Sequence, residues 1–281
     1  IQTMLASDIK IEWCRLQAAA GFNEIEVTSF VPPSVIPQFA DAAEVLAAAN
    51  GIENLRPSVL VPNLNGGIRA LDHGARKITM VLSASEQHNL SNVRKSTDAS
   101  IAEFGELVAE RGRRTLADDV EISCALATAF GCSIQGKVPE SRVYDIAAEL
   151  IALGADELNI ADTVGYANPV QVRRMFAELA GQAGNVPLAA HFHDTRAMGV
   201  ANVFAALESG ITWLQVVWIV VAMVAARNAA MSFNRLADQR FDAENPRTAA
   251  RELPAGRLSR SAVWTLLILL CALFVLAAFQ L

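Results

Sequence analysis

The chain has 281 residues, of which 53% are hydrophobic, and a formal net charge of −6 at neutral pH. Residues 1–211 are acidic on balance and carry no cluster of lysine and arginine, which argues against a nucleic-acid-binding surface. The four cysteines lack the paired spacing and the density of a disulfide scaffold, and they indicate a reducing compartment.

The first part of the chain alternates β-branched runs with alanine-rich segments of helical period. Such alternation implies a parallel sheet. Because no dinucleotide-binding glycine fingerprint occurs, the pattern favours a (β/α) barrel over a Rossmann sheet. A complete barrel needs eight strands, so we expect an incomplete TIM-type barrel. The predicted strands are 24–30, 58–62, 77–83, 119–124, 157–162 and 187–193, and the predicted helices are 10–20, 36–49, 65–73, 91–111, 140–153, 169–181 and 198–209.

Polar side chains recur at the carboxyl ends of these predicted strands, where barrel enzymes collect their catalytic groups. Each of them also has a structural explanation. Glu26 would serve equally as a salt-bridged rim acid, and Asn63 as a helix cap. Asp162 with Thr163 would serve as an N-cap pair, and Asp194 as the cap of the following helix.

The sixth predicted strand ends in two histidines, His191 and His193, with Phe192 between them. Successive side chains on a strand alternate faces, so the two imidazoles point the same way. Such a pair makes half of a metal site, although imidazole binds many divalent ions and does not name the metal. The alternative is a pair of core or rim histidines that are hydrogen-bonded to their neighbours.

Four motifs at these strand ends are specific when they are taken together. They are EIEVTSFVPP at 24–33, SASEQHN at 83–89, ADTVGYANP at 161–169 and HFHDTR at 191–196. In this order they resemble the hydroxymethylglutaryl-CoA lyase family of metal-dependent carbon–carbon lyases. Related acyl-transferring synthases share the barrel and the H-x-H, but their second strand usually differs from EVTSFVPP, so they rank second.

The resemblance implies cleavage of hydroxymethylglutaryl-CoA, an acyl-CoA substrate, to acetyl-CoA and acetoacetate. A divalent ion, Mg²⁺ or Mn²⁺, would hold the substrate's tertiary hydroxyl and stabilise the oxygen anion as the bond breaks. His191 and His193 match the family's two histidine ligands, and His191 also lies close enough in the family pattern to take part in proton transfer. Glu26 and Asp162 match acidic residues that orient the site and the substrate.

The chain departs from the family pattern at both ends of the barrel. The family's first strand carries an Arg-Asp-Gly-Leu-Gln run with an aspartate metal ligand, and this chain starts just after its place. The eighth strand supplies an asparagine ligand and the loop before it a cysteine proton donor, and neither follows residue 211. Cys132 matches a different family loop. We therefore expect an impaired lyase that lacks the first and last strands of its barrel.

The composition changes abruptly in the second part of the chain. Residues 212–281 contain seven arginines, no lysine and four acidic residues. The segments 213–233 and 261–281 are apolar and long enough to cross a bilayer, with buried core helices as the alternative. The excess of arginine between them predicts a cytoplasmic loop.

An acidic run lies between the two apolar segments. Asn234, Asp238 and Asp242 share a face if the helix continues through them. Carboxylates beside arginines suit Mg²⁺ bound to a diphosphate, whereas a solvated, ion-paired helix end has the same spacing. The run NRLADQRFDAENPRT, followed by RELPAGRLS, resembles the first aspartate-rich motif of UbiA-type membrane prenyltransferases, the family of 4-hydroxybenzoate polyprenyltransferase, over about 213–281.

We therefore expect two domains, a partial lyase-like barrel over 1–211 and a hydrophobic helical hairpin with an aspartate-rich loop over 212–281. Three hypotheses compete: an incomplete lyase, a UbiA-type prenyltransferase fragment, and a chimeric or misassembled chain without activity. The lyase hypothesis covers most of the chain and ranks first. The barrel is expected in the cytoplasm, membrane association is expected if 213–233 and 261–281 insert, and the sequence leaves an oligomer open.

Overall fold

A computed structural model describes residues 4–117, 119–208, 213–244 and 251–279. The chain divides into two compact units, residues 1–209 and 210–281. The first unit contains six parallel strands in the order β1 to β6, which form a half-barrel, and this confirms the predicted incomplete barrel. The strands are β1 Glu24–Ser29, β2 Arg56–Val61, β3 Lys77–Ser83, β4 Glu121–Ala127, β5 Glu157–Asp162 and β6 Leu188–Phe192.

Helices connect the strands and cover the convex face of the sheet, as a parallel sheet requires. A short 3-10 helix, Pro37–Phe39, precedes α2. The helices of this unit are α1 Ser7–Ala19, α2 Ala42–Asn50, α3 Leu64–Asp72, α4 Glu86–Val93, α5 Thr97–Arg113, α6 Glu140–Ala152, α7 Pro169–Ala183 and α8 Gly199–Leu207.

The side chains of each strand alternate between the helical layer and the concave interior. On β3, Ile78, Met80 and Leu82 are fully buried among the helices, and the equivalent positions of β4 and β5 are equally buried. The residues between them face the interior, where the Thr79 and Ser123 hydroxyl oxygens lie 2.9 Å apart in a hydrogen bond. This alternation places polar side chains from several strands, such as Ser58, Thr79 and Asn159, on the concave side of the half-barrel.

The single helix predicted over 91–111 is wrong, because the structure has two helices there. α4 ends at Val93, and Arg94 after it adopts a left-handed φ of 60°. Ser96 caps α5 by accepting a hydrogen bond from the Ala99 amide. The buried side chain of Asn89 holds the connection by donating to the backbone oxygens of Lys95 and Ser96, each at 3.0 Å. The predicted helix over 36–49 is likewise a 3-10 turn followed by α2.

The second unit consists of α9, Trp213–Glu244, and α10, Arg260–Phe279. A small apolar cluster that includes Ala229, Leu236 and Val263 packs the two helices together, as the predicted hairpin requires. Of the described residues, one helical stretch, Arg260–Ala278, is long and apolar enough to cross a membrane. The first residues of the predicted segment 213–233 lie outside the part of the chain whose side chains are described.

Candidate metal centre

The concave side of the half-barrel holds a cavity of about 430 Å³. A charged cluster closes its lower end, where the strands begin. The ammonium group of Lys77 contacts Glu24, Glu157 and Glu121 at 2.7, 3.0 and 3.1 Å. Burial alone would lower the pKa of Lys77, but hydrogen bonds to the three carboxylates outweigh it and raise the pKa. Lys77 therefore stays charged, and its cluster with the three glutamates forms the floor of the cavity.

The two histidines lie at the opposite end, where β6 stops. His191 Nε2 and His193 Nε2 are 3.1 Å apart, and their rings stack with 5.1 Å between centroids. Phe192 points the other way, into the helical layer, where it packs against Phe130 and Phe176. The predicted arrangement of the strand end is therefore present, with both imidazoles on the cavity side.

The separation of the two nitrogens suits a shared ion. An octahedral Mg²⁺-sized ion about 2.1 Å from each ligand places neighbouring ligand atoms about 3.0 Å apart. Partial loss of hydration against the sheet lowers the pKa of His191, repulsion from His193 lowers it further, and Asp162 opposes both. A lowered pKa keeps the ring neutral, which is the form that binds a metal. The two residues therefore fit two positions of a metal's coordination shell.

A third protein ligand is not evident. Within the described ranges, no group of three or more His, Cys, Asp or Glu side chains is placed to hold a metal.

Glu26 lies on β1, at the other edge of the half-barrel, and lines the same cavity as the two histidines. Its carboxyl group is reached by solvent from the open side, but the surrounding protein removes part of its hydration and raises its pKa. The backbone of β1 shifts register between Glu26 and Thr28, so the strand bends just beyond this side chain.

Asp162 is fully buried at the end of β5. Its two carboxylate oxygens accept hydrogen bonds from the Tyr166 and Ala167 amides, at 2.8 and 3.1 Å. Asp162 therefore fixes the turn that follows β5. The alternative of an N-cap pair with Thr163 is wrong, because Asn168 caps α7 by accepting from the Gln171 amide.

The cap explanations hold at two other strand ends. Asn63 caps α3 by accepting a hydrogen bond from the Gly66 amide at 2.9 Å. The carboxylate of Asp194 accepts from the amide of Gly199, the first residue of α8, at 2.7 Å. These two polar groups are therefore committed to starting helices and not to the cavity.

Thr128, which the sequence did not single out, ties three strand-end loops together. Its amide donates to Thr163 Oγ1 at 2.8 Å, and its own hydroxyl oxygen accepts from the Ser85 amide at 3.1 Å. The residue is buried and has a left-handed φ of 58°, which is rare for a β-branched side chain. Backbone strain of this kind leaves no pattern in the sequence.

The second unit brings its predicted residues together as well. α9 continues through Asn234, Asp238 and Asp242, and the three line a cavity of about 180 Å³ with Arg235. Arg251 binds both carboxylate oxygens of Asp242, at 2.8 and 2.9 Å. Part of the acidic charge is therefore already neutralised by an arginine.

Two families match the chain. The HMGL-like family matches residues 1–219. The chain belongs to the HMGL-like family. The UbiA prenyltransferase family matches residues 197–281, so both resemblances read from the motifs are confirmed.

Relatives of this HMGL-like chain carry the lyase name. A hydroxymethylglutaryl-CoA lyase of Bacillus subtilis is 35% identical over 74% of this chain and 68% of its own length. The human cytoplasmic 3-hydroxy-3-methylglutaryl-CoA lyase is 32% identical over 75% of this chain and 56% of its own length. The chain thus spans between about half and two thirds of these relatives.

Solved structures agree with the half-barrel. An HMG-CoA lyase from Acinetobacter baumannii, in complex with coenzyme A and 3-methylmalate, is 37% identical with a TM-score of 0.68, covering 74% of this chain and 67% of that one. The lyase from Brucella melitensis is 30% identical with a TM-score of 0.69, covering 75% and 73%. The carboxyl transferase domain of Rhizobium etli pyruvate carboxylase, at 19% identity and a TM-score of 0.54, covers 74% and 36% and shares the fold alone.

Proposed function

We propose that this chain is a metal-dependent carbon–carbon lyase that cleaves hydroxymethylglutaryl-CoA to acetyl-CoA and acetoacetate. The observation that carries the proposal is the pair of imidazole nitrogens, 3.1 Å apart, at the mouth of the half-barrel. The relatives named as hydroxymethylglutaryl-CoA lyases support the substrate, and the coenzyme A complex of one of them supports an acyl-CoA ligand.

His191 and His193 would hold Mg²⁺ or Mn²⁺ through their Nε2 atoms. When bound, the ion supplies positive charge that favours loss of the hydroxyl proton and stabilises the resulting oxygen anion. The reaction breaks the adjacent carbon–carbon bond and returns a proton to the acetyl carbon, so it needs a base and an acid near the cavity.

The acidic residues have separate tasks in this proposal. Glu26 carries its proton more readily than an ordinary glutamate, which suits a hydrogen bond from its carboxyl group to a substrate oxygen. Asp162 orients the site through the turn it holds. His191, beside the metal position, takes part in proton transfer.

We expect low turnover. Among the described residues, the chain offers two histidine ligands and no third His, Cys, Asp or Glu side chain placed to join them. Fewer protein ligands mean weaker metal binding and a less firmly oriented substrate.

The test is release of acetoacetate from hydroxymethylglutaryl-CoA by the full-length chain with Mg²⁺ or Mn²⁺. His191→Ala should abolish release. His73→Ala, which removes an imidazole that stacks on Phe30, should retain it. Absence of any metal-dependent product from the wild-type chain would reject the lyase function.

A second candidate rests on the UbiA match and on the cavity that Asn234, Asp238 and Asp242 line. Mg²⁺ bound to these oxygen ligands would hold a prenyl diphosphate at a membrane that α10 enters. This candidate predicts Mg²⁺-dependent prenyl transfer in membranes, lost in Asp238→Ala. A misassembled chain would show neither activity.

A further inference from the structure

The turn after β5 touches the histidine strand end at one glycine. Gly165 is buried, has a left-handed φ of 70°, and donates its amide to the Asp162 backbone oxygen at 3.2 Å. A Cβ atom placed on Gly165 would lie 2.5 Å from Thr195 Cβ and 3.0 Å from the His193 backbone oxygen. No side chain fits in this space unless the turn or the residues after β6 move.

The turn itself is firmly held. The carboxylate of Asp162 binds the Tyr166 and Ala167 amides on the far side of Gly165. The side-chain amide of the buried Asn202 also donates to the Ala167 backbone oxygen at 3.3 Å. A side chain at Gly165 would therefore displace the other partner, the segment from His193 to Thr195.

His193 is the more weakly held of the two imidazoles. It follows the last residue of β6, and its side chain is exposed to the cavity side. His191 lies within the strand, where Ala161 of β5 pairs with it. A small backbone shift at His193 therefore changes the distance between the two nitrogens and leaves His191 in place.

We propose that Gly165 is a positioning residue for His193: its missing side chain lets the turn after β5 set the His193 backbone so that the two imidazoles meet. This inference deepens the proposed metal site and rests on it. This series of contacts, called the relay below, runs from the Asp162 carboxylate through the turn to the Gly165 contact and then to His193.

The test compares Gly165→Ala with Gly184→Ala in the full-length chain. Gly184 also has a positive φ, of 59°, but a Cβ there would meet nothing within 4 Å. Alanine is strained by the positive φ at both positions, but only at Gly165 does its methyl group push on the histidine segment. We expect Gly165→Ala to weaken Mn²⁺ binding by about tenfold or more, the usual effect of losing a support for a metal ligand. Gly184→Ala should stay within about twofold of wild type.

A second substitution separates the contact from a general loss of structure. Thr195→Gly removes the Cβ atom that the new methyl group would strike. Mn²⁺ affinity lost in Gly165→Ala should therefore return, at least in part, in the double variant with Thr195→Gly. Equal losses in the single and double variants would overturn the relay, since a loss through backbone strain alone would not depend on residue 195.

A metal-free measurement keeps the relay separate from the proposed function. The chain has four histidines, so selective ¹³C labelling gives four imidazole Cε1–H signals that His→Gln variants assign. Gly165→Ala should shift the His193 signal, and Gly184→Ala should not. An unchanged His193 signal in a folded Gly165→Ala protein would overturn the relay. A shifted signal in a chain that binds no Mn²⁺ would support the relay and reject the metal site.

Discussion

The middle and the margins of the half-barrel differ in burial. β3 and β4 are buried along nearly their whole length, whereas β1 and β6 are half exposed. Helix α1, beside β1, also leaves Ile9, Trp13 and Leu16 more than half exposed. The candidate site belongs to the margins, because Glu26 lies on β1 and His191 on β6. The middle strands therefore carry the stability of the unit, and the marginal strands carry its proposed chemistry.

This difference between the middle and the marginal strands predicts that a substitution in the Lys77 cluster lowers stability and leaves metal binding intact. Lys77→Met leaves three carboxylates without their shared cation. We expect a loss of about 3 kcal/mol in the free energy of unfolding, at the low end for a buried pair because the carboxylates are partly exposed. Urea unfolding measures it. Mn²⁺ affinity of the folded variant should equal that of wild type.

Arg15→Met is the control for Lys77→Met. Arg15 pairs with Glu12 on α1, but both side chains are more than half exposed. Its loss should change the free energy of unfolding by less than about 0.5 kcal/mol. Equal effects of the two substitutions would contradict the central role of the Lys77 cluster.

Substitutions in the helices that pack on the middle strands should have a smaller effect on stability. A Cβ on Gly67 of α3 would lie 2.6 Å from Cδ1 of Leu107, which is fully buried. Gly67→Ala should therefore destabilise the unit by about 1–2 kcal/mol through overcrowding. Gly112→Ala, in α5 with nothing within 4 Å of its Cβ, should stabilise by up to about 1 kcal/mol. Thermal unfolding of both variants measures these changes in stability. A stabilised Gly67→Ala protein would contradict the prediction, because it would show that the core around Leu107 accommodates an added methyl group.

The smallest expected effect is a loss of folding stability at acid pH that depends on His191, on the marginal strand β6. The lowered pKa of His191 means that the unfolded chain protonates this ring first as the pH falls below 6.5. The contribution of His191 to stability is thus complete above pH 6.5 and is lost as the pH falls through the lower folded pKa. Metal-free wild type should lose more stability than His191→Gln between pH 7 and pH 5. Parallel curves of melting temperature against pH would contradict this assignment.

The sequence predicted the regular parts of this molecule well, because alternation and helical period reflect burial directly. The strand over 77–83 and the histidine pair on one face are examples. It missed the break in the predicted helix over 91–111, since the left-handed backbone of Arg94 and the buried Asn89 depend on tertiary contacts.

The contacts between loops could not be predicted from the sequence either. The motif that contains Asp162 was recognised, but the direction of its carboxylate, toward the following turn, depends on backbone geometry that residue types do not specify. The strained backbone of Thr128 and the close approach at Gly165 are of the same kind. Residue types were enough to locate the strand ends. Which loops contact one another is seen only in the structure.

Calorimetric titration of the full-length chain with Mn²⁺ tests most directly whether the end of β6 is a metal site. We expect one ion per chain and at least tenfold weaker binding in both His191→Gln and His193→Gln, with His73→Gln unchanged. Binding that neither substitution at the strand end weakens, or no binding by the wild-type chain, would contradict a metal centre at His191 and His193.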